Sequence, residues 1–564
     1  MRGVFKSAGC VMAILLGSLL SGCGAGSNGD NGISGSGGNT GSGVPHGNGG
    51  GGQGPVVAVP SQPAAAFFGM HQNHAAACDP PPLDYPLFDA RAGAFRIWGT
   101  CGTQWQAMNP GPNSFDFTGL DELLAALKIK GVDDVYISLG STPNWISSNP
   151  TDMLCDRADV FGQPPGMCDP PLDLNKDGTG TDLAWRSFTT ALVSHASDPA
   201  YLSNHARITN YEIWSEFHRS DTVGVPGTVC VTPGSEGGFP CSYRGTFAQM
   251  LRMTQDMRCI VEGHAGDPIT ALGLTCGAAN YAQIGIDPKA LVMEGDSGGQ
   301  ALDNGVVPLQ NYLYCDASPP PGSECTWSRA NPLGANATDV ISGHSYFNNG
   351  GFPERIMRYI SAEKAMLSPA DAAKPYYTGE GSWGKNQTVV SGALIPAFIT
   401  RWWAVLLLSH VDRGYWFAWD GWQPTATGGL WAPNPVTTPP MDCTTPDTQI
   451  GGYYCTGGIA YMQTVGWLSG ATVVTGTCPA SCSNPDPGVF SLTISRPGGY
   501  QAQLLWDSHE VASCDNPMCG STPVPAPQPF TNFQWRDLAG NTHSGTPPSI
   551  GASPILLENM VPPQ

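Results

Sequence analysis

The sequence predicts an α/β fold, a (β/α)8 TIM barrel followed by a small C-terminal β-sandwich. Over residues 61–470, short apolar and β-branched runs alternate with helical patterns, which is typical of βα units that close into a parallel barrel. Over residues 471–564 the pattern changes to short strands. The chain has 564 residues, and one hydrophobic core stops growing at about 250–300, so we expect at least two folded units.

Eight candidate barrel strands follow one another along the chain. Each is a short run rich in apolar, β-branched or aromatic residues, and helical patterns lie between most of them. The predicted strands are 66–70, 94–98, 134–139, 209–214, 268–274, 339–342, 375–378 and 414–418.

Amphipathic patterns predict the barrel helices. In the segment 118–130, four leucines share one face, and the acidic residues of the first turn lie where the helix dipole favours them. The apolar segment 388–411 resembles a membrane span, but Pro396 and Arg401 lie inside it, so we predict the seventh barrel helix there. The other predicted helices are 182–195, 247–261, 354–366 and 459–468.

The C-terminal domain is predicted from four further short strands. They are 472–475, 489–495, 500–506 and 532–538. Their spacing and the absence of a helical pattern between them favour a small β-sandwich.

The N-terminus predicts export. Two basic residues precede the apolar run 11–20, and the Leu-Ser-Gly-Cys that ends at Cys23 resembles a bacterial lipobox. The resemblance implies a signal peptide over 1–22 and a lipid on Cys23, which would anchor the protein to the bacterial membrane, at the outer membrane or cell surface. Residues 23–60 are rich in Gly and Ser and predict a flexible tether. An ordinary secretory signal is the alternative, since the apolar run is too short to span about 30 Å of hydrocarbon.

The cysteine count is consistent with an oxidising compartment. Removing Cys10 and Cys23 from the 18 cysteines leaves 16, an even number. Zinc binding by the last four cysteines is the less favoured alternative, because their spacing lacks the usual pattern. Pairing of chain neighbours would give the disulfides 78–101, 155–168, 230–241, 259–276, 315–325, 443–455, 478–482 and 514–519.

The charge narrows the choice of partner. A net charge of −20 repels nucleic-acid phosphates and anionic lipid, so we expect no nucleic-acid partner and membrane contact by the lipid anchor only. A neutral carbohydrate polymer fits this charge better. We expect a monomer that needs no cofactor.

Two glutamates follow predicted strands at the end of a barrel where active sites form. Glu216 ends the segment Tyr-Glu-Ile-Trp-Ser-Glu after the fourth strand, and Glu380 lies in Thr-Gly-Glu-Gly-Ser-Trp-Gly after the seventh. Two carboxyls about 5–5.5 Å apart are what a retaining glycosidase needs, one protonated and one ionised. The alternative is that Glu216 and Glu380 are buried salt-bridge partners, which is the role expected for the nearby Glu212.

Both segments resemble the strand-four and strand-seven motifs of clan A glycoside hydrolases. The resemblance implies that Glu216 is the acid/base and Glu380 the nucleophile of a double displacement. Further similar segments are 95–98, 141–145, 343–346 and 417–419. The overall likeness is greatest to glycoside hydrolase family 39, whose members place a β-sandwich beside the barrel, and the tail 549–558 resembles the last strand of that domain.

The same resemblance implies supporting residues. Arg96, His344 and Tyr346 are expected to contact the nucleophile, and Ser215 stands where the clan usually has an Asn that bonds the sugar 2-hydroxyl. Arg96 could instead neutralise Glu212, and His344 could be an ordinary loop histidine. Three tryptophans are candidates for sugar platforms, with the core as the alternative, namely Trp145, Trp383 and Trp419.

A partial calcium motif lies in the loop 173–179. Asp173, Asn175 and Asp177 place oxygens at alternating positions with Gly178 sixth, but position twelve is Ala184 rather than Glu. We therefore treat it as a weak calcium candidate and predict no other metal.

Two classes of function remain open from the sequence. The first is a glycosidase that cleaves β-linked poly- or oligosaccharides, either as an endo-acting glycanase or as a β-xylosidase-like exo-enzyme. The second is a surface lipoprotein that binds carbohydrate on the barrel without turnover.

Overall fold

The computed structural model describes most of the barrel and of the C-terminal domain. The predicted signal peptide, Cys23, most of the tether and Trp383 lie outside the described residues. No helix in the described part has the length and apolar character needed to cross a membrane. The described residues are 56–57, 65–75, 77–78, 86–88, 92–153, 155, 164–217, 242–295, 306–314, 329–330, 332–347, 352–382, 394–420, 428–437, 442–509, 533–545, 547 and 549–559.

Eight parallel strands form a closed barrel. Consecutive strands pair from the first to the fifth and from the sixth to the eighth, and the eighth pairs with the first through Gly414 and Phe68. A parallel bridge between Met293 and Val340 joins the fifth strand to the sixth. This confirms the predicted (β/α)8 barrel. The strands are β1 (Phe68–His71), β2 (Ala94–Ile97), β3 (Val135–Ser138), β4 (Ile208–Glu212), β5 (Leu291–Met293), β6 (Ile341–His344), β7 (Tyr376–Gly381) and β8 (Arg413–Trp416).

The predicted fifth strand is wrong. Residues 268–274 fall mostly in a small hairpin, in which Pro268–Ile269 pairs antiparallel with Leu274–Thr275. Gly273 adopts a left-handed φ of 62° and turns the chain back, which a barrel strand does not allow. The true fifth strand has only three residues and lies further along the chain, at Leu291–Met293.

Helices surround the barrel close to their predicted positions. The helix Thr118–Ile129 buries Leu120, Leu123, Leu124 and Leu127, the face that the sequence predicts. The helix Phe247–Val261 begins with a capping box, in which Thr246 and Gln249 each accept a hydrogen bond from the other's backbone N–H. The helices are α1 (Trp105–Met108), α2 (Thr118–Ile129), α3 (Leu183–Ala196), α4 (Pro199–Leu202), α5 (Phe247–Val261), α6 (Val306–Tyr314), α7 (Leu333–Asn336), α8 (Ile356–Met366), α9 (Leu394–Leu408) and α10 (Thr456–Leu468).

The C-terminal domain is built on antiparallel strands, as predicted for a β-sandwich. The order across the sheet is Val56–Val57, Thr472–Thr477, Val489–Arg496, Tyr500–Asp507, Ile555–Asn559, Phe533–Arg536 and Thr542–Ser544, so a strand from before the barrel joins one edge. Leu492 and Leu504 belong to the large core shared with the barrel, whereas Leu505 and Leu557 belong to a separate apolar cluster. The strands are β9 (Thr472–Thr477), β10 (Val489–Arg496), β11 (Tyr500–Asp507), β12 (Phe533–Arg536), β13 (Thr542–Ser544) and β14 (Ile555–Asn559).

A buried ion pair joins the barrel helices to this sheet. Arg401 of α9 donates to both carboxylate oxygens of Glu354, at 2.7 and 2.6 Å, and the Trp506 indole of β11 donates to the same carboxylate at 2.7 Å. The charge inside the apolar helix α9 is therefore paired in the protein interior.

Five of the predicted disulfides are present, and the other three predicted pairs lie outside the described residues. The bonds join Cys78 to Cys101, Cys155 to Cys168, Cys259 to Cys276, Cys443 to Cys455 and Cys478 to Cys482. Each closes a loop between neighbouring cysteines along the chain.

Candidate active site

The two candidate carboxyls meet at the C-terminal end of the barrel. Glu380 is part of β7, and Glu216 follows β4 by four residues. A carboxylate oxygen of Glu216, one of Glu380 and a ring nitrogen of His344 all lie within 4.8 Å of one another. The side chains of Glu216 and Glu380 are 13% and 7% exposed, so both keep a small opening to solvent. An oxygen-to-oxygen distance of at most 4.8 Å is nearer to the about 5–5.5 Å of retaining glycosidases than to the roughly 6.5–9.5 Å of inverting ones.

Arg96 contacts both the segment that ends at Glu216 and the segment that contains Glu380. It is fully buried in β2, and its Nη1 donates to Glu380 Oε1. Its Nη2 donates to Ser215 Oγ at 3.1 Å and lies 3.5 Å from Glu212 Oε2. Both sequence interpretations of Arg96 therefore describe real contacts, since it contacts Glu380 and Glu212 at once.

Tyr346 and His344 reach the site from β6 and the loop after it. The Tyr346 hydroxyl donates to Glu380 Oε2 at 2.6 Å. His344 Nδ1 lies 2.9 Å from Glu216 Oε1 and 3.6 Å from Glu380 Oε2. His344 was expected to contact Glu380, and the structure places it between the two carboxyls, closer to Glu216.

The surroundings keep Glu380 ionised. Burial alone would raise the pKa of Glu380, but the coulombic interactions with His344 and Arg96 outweigh it, and the pKa lies below its usual range. Burial, and then the charge of Glu380, raise the pKa of Tyr346 well above its usual value. Tyr346 therefore keeps its proton and donates a hydrogen bond to the carboxylate.

The backbone fixes both carboxyls. Glu216 has a left-handed φ of 54°, which is uncommon outside glycine. The carbonyl of Glu380 accepts from the Ser345 backbone N–H at 2.7 Å, and the Ser345 carbonyl accepts from the Trp402 indole at 3.1 Å. Residues on three neighbouring elements thus hold Glu380 in one position.

The candidate platforms differ in their surroundings. Trp145 is half-buried and its indole donates to the Asn109 carbonyl at 2.8 Å. Trp419 is completely buried and packs against Phe88 and Tyr454, so it presents no face on which a sugar could stack. A platform role for Trp419 is not supported by this position.

Two buried residues near the site were missed by the sequence interpretation. Glu294 directly follows β5 and accepts from the Ser342 backbone N–H at 2.5 Å, and it was missed because that strand was misplaced. His71 ends β1 and stacks on Phe417 at 4.7 Å. Burial, and then Arg96, lower the pKa of His71 to about 3, so this imidazole is neutral. Its position at a strand end was the available signal.

The calcium candidates form hydrogen bonds within their own loop. Asp173 Oδ2 accepts from the Leu183 backbone N–H at 2.6 Å and so caps helix α3. Asp177 Oδ1 accepts from the Thr179 backbone N–H at 2.9 Å, and Asn175 Nδ2 donates to the Thr179 hydroxyl at 3.0 Å. Calcium binding stays a prediction. At the carboxyl site, the Arg96 guanidinium bound to Glu380 opposes a bound cation.

Comparison with known proteins gives remote structural likeness only. No family model matches the sequence, and a search of curated proteins finds no relative. A glucosidase from Croceicoccus marinus is 12% identical with a TM-score of 0.49, over 90% of this chain and 98% of that one. The catalytic domain of GH30 xylanase C from Talaromyces cellulolyticus is 11% identical with a TM-score of 0.42, over 89% of this chain and 98% of that one. The GH51 arabinofuranosidase from Xanthomonas axonopodis pv. citri is 8% identical with a TM-score of 0.45, over 89% and 97%.

Proposed function

We propose that this protein is a retaining glycoside hydrolase that cleaves β-glycosidic bonds of a poly- or oligosaccharide. The observation that carries the proposal is the pair Glu216 and Glu380, with carboxylate oxygens within 4.8 Å of each other at the C-terminal end of a parallel barrel. Their environments differ in the way that the two roles require, because Arg96 and Tyr346 both donate to Glu380.

In the first step Glu380 acts as the nucleophile. Its ionised carboxylate attacks the anomeric carbon while Glu216 donates a proton to the departing glycosidic oxygen. The bond from the anomeric carbon to that oxygen breaks, and an ester bond to Glu380 forms. Arg96 and Tyr346 keep the attacking carboxylate oriented and charged until the bond forms.

In the second step Glu216 changes role. Esterification removes the negative charge of Glu380, so Glu216, now ionised, takes a proton from a water molecule that attacks the same carbon. The ester bond between the anomeric carbon and Glu380 breaks, so the anomeric configuration is retained and Glu380 leaves as a carboxylate. His344 Nδ1 lies 2.9 Å from Glu216 Oε1, so the imidazole is in contact with the carboxyl whose charge changes between the two steps.

The family and location belong to the same proposal. We assign the chain to clan A, nearest to family 39, as a monomeric exported lipoprotein that carries its lipid on Cys23. Mass spectrometry of the mature N-terminus tests the anchor. The expected result is a first residue Cys23 that carries diacylglycerol. An unmodified N-terminus that begins at a serine or glycine contradicts the proposal.

Product analysis on a panel of β-glucan, xylan, exopolysaccharide and aryl β-glycosides tests the activity. Glu380→Ala should abolish turnover, and Glu216→Gln should lower kcat on unactivated glycosides by about 10²–10⁴-fold. Glu262→Gln is the matched control, because Glu262 is a buried carboxyl that pairs with Arg258 of α5, away from the carboxyl pair. Carbohydrate binding without turnover on any substrate would instead favour a non-catalytic binding protein, and inverted product stereochemistry would contradict double displacement.

A further inference from the structure

A groove lies beside the loop that follows β3. It encloses a cavity of about 190 Å³. Its walls include three apolar side chains, Phe115, Trp145 and Leu183, and three polar ones, Asn113, Asp173 and Ser187. No lysine or arginine is among the residues that line it within the described ranges.

The aromatic wall of the groove is rigid. The Trp145 indole N–H donates to the Asn109 carbonyl at 2.8 Å, which fixes the plane of the ring. Asn109 is itself buried, and its amide donates to the carbonyls of Gly111 and Ser114, both at 2.8 Å. A flat ring that is held before the ligand arrives loses little entropy on binding.

Large apolar side chains are exposed around this wall. Leu183 and Leu172 are 62% and 65% exposed, among the highest values for large apolar side chains in the described part of the chain. Leu172 lies beside the groove, because its backbone N–H donates to the carbonyl of Ile146, a residue that lines the groove, at 2.7 Å. Exposed apolar surface next to a preformed aromatic wall is typical of a binding surface.

The segment that follows β3 links the groove to the neighbourhood of the active site. The chain leaving β3 passes Trp214 at Gly140, where an added Cβ would lie 2.8 Å from the Trp214 ring, and it reaches Trp145 five residues later. Trp214 is two residues before Glu216. The segment 140–145 therefore runs from the neighbourhood of the candidate acid/base to the groove.

We propose that this groove binds a further sugar ring of the substrate, stacked on Trp145, while the glycosidic bond lies at Glu216 and Glu380. This inference rests on the proposed function and extends it to a polymeric substrate that is cleaved internally. The C–H face of a pyranose fits a fixed indole, and Asn113, Asp173 and Ser187 supply partners for its hydroxyls. The net charge of −20 and the acidic Asp173 favour a neutral glycan over a polyanion.

The dependence of kcat/KM on oligosaccharide length tests the proposal. For the native sequence kcat/KM should rise with length until the groove is filled. Trp145→Ala should lower the value for the longest oligosaccharides by about three- to tenfold, the size of an aromatic contact, with a loss that shrinks as the substrate shortens. Trp145→Phe should keep much of the effect. Ile129→Ala is the matched control, because Ile129 is an apolar residue at the end of α2 that is 86% exposed.

The outcomes separate this inference from the proposed function. Calorimetry of the same oligosaccharides with Glu380→Gln, with and without Trp145→Ala, measures binding even where no turnover is found. A loss of affinity that grows with length supports the groove in either case. An equal loss on every length, or no loss on the longest, overturns it. Sedimentation that shows a dimer dissociated by Leu183→Ala would assign the groove to a second copy of the chain and also overturn it.

Discussion

Replacing Arg401 by Met should reveal how strongly the barrel is attached to the C-terminal sheet. The substitution removes two hydrogen bonds to Glu354, at 2.7 and 2.6 Å, from a carboxylate whose side chain is 7% exposed. The Trp506 indole remains as a donor at 2.7 Å. Breaking one partner of a buried ion pair costs about 3–5 kcal/mol, and we expect about 3 kcal/mol because Trp506 still donates.

The double variant Arg401→Met/Glu354→Leu should be more stable than the single one. It contains no unpaired buried charge, and its remaining cost is the lost acceptor of the Trp506 indole, about 1 kcal/mol. The double variant should therefore be about 2 kcal/mol more stable than Arg401→Met alone, and the two substitutions should be non-additive because they belong to one contact.

Urea unfolding followed by tryptophan fluorescence measures these differences in the free energy of unfolding. Lys128→Met is the matched control, because Lys128 pairs with Asp133 at 2.8 Å and the two side chains are 34% and 57% exposed. A half-exposed pair should contribute about 0–1 kcal/mol. A cost below about 1 kcal/mol for Arg401→Met, or a double variant no more stable than the single one, would contradict a strongly coupled buried pair.

Three further predictions concern the site, a buried acid pair and a helix start. Tyr346→Phe removes a donor to the ionised Glu380, so kcat/KM should fall by about 10–100-fold and the acidic limb of the pH–rate profile should move to higher pH; an unchanged limb would contradict this. Burial, and then the neighbouring Asp256, raise the pKa of Asp182 well above its usual value, so the native state binds this proton more tightly than the unfolded chain does. The contribution of protonated Asp182 to stability is therefore complete below about pH 3.9 and is lost as the pH rises through the folded-state pKa. Melting temperatures across this pH range should decline less for Asp182→Asn than for the native chain, and parallel curves would refute the assignment. Thr246→Ala removes half of the capping box and should cost about 1 kcal/mol in chemical unfolding, whereas no change would show that the cap is dispensable.

Seven of the eight barrel strands could be predicted because each combines an apolar run with a following polar loop. The fifth strand could not, since Leu291–Met293 is too short to produce a pattern. The segment 268–274 carries a stronger apolar signal, yet Gly273 turns it into a hairpin, and that turn depends on local backbone geometry rather than on composition.

The convergence of Glu216, Glu380, Arg96 and Tyr346 was predictable because the C-terminal ends of parallel strands meet at one end of a barrel. The sequence could not show that His344 lies closer to Glu216 than to Glu380, because this depends on differences of under 1 Å between side-chain positions.

Tryptophans were the least predictable part of the site. Trp419 is a core residue and Trp145 is half-buried beside a groove, although both follow barrel strands in the sequence. Large aromatic side chains serve interiors and binding surfaces equally well, so composition alone does not separate the two uses.

The left-handed backbone of Glu216 sets activity against stability. A residue other than glycine pays about 1–2 kcal/mol for this conformation, and glycine would relieve that strain, partly offset by about 0.4–1 kcal/mol from its freer unfolded chain. Glu216→Gly should therefore fold at least as well as the native protein while losing the carboxyl that we propose as the acid. Selection for thermal stability alone would then tend to replace this glutamate by glycine. If Glu216 is kept in an evolving population, the proposed reaction must be under selection as well.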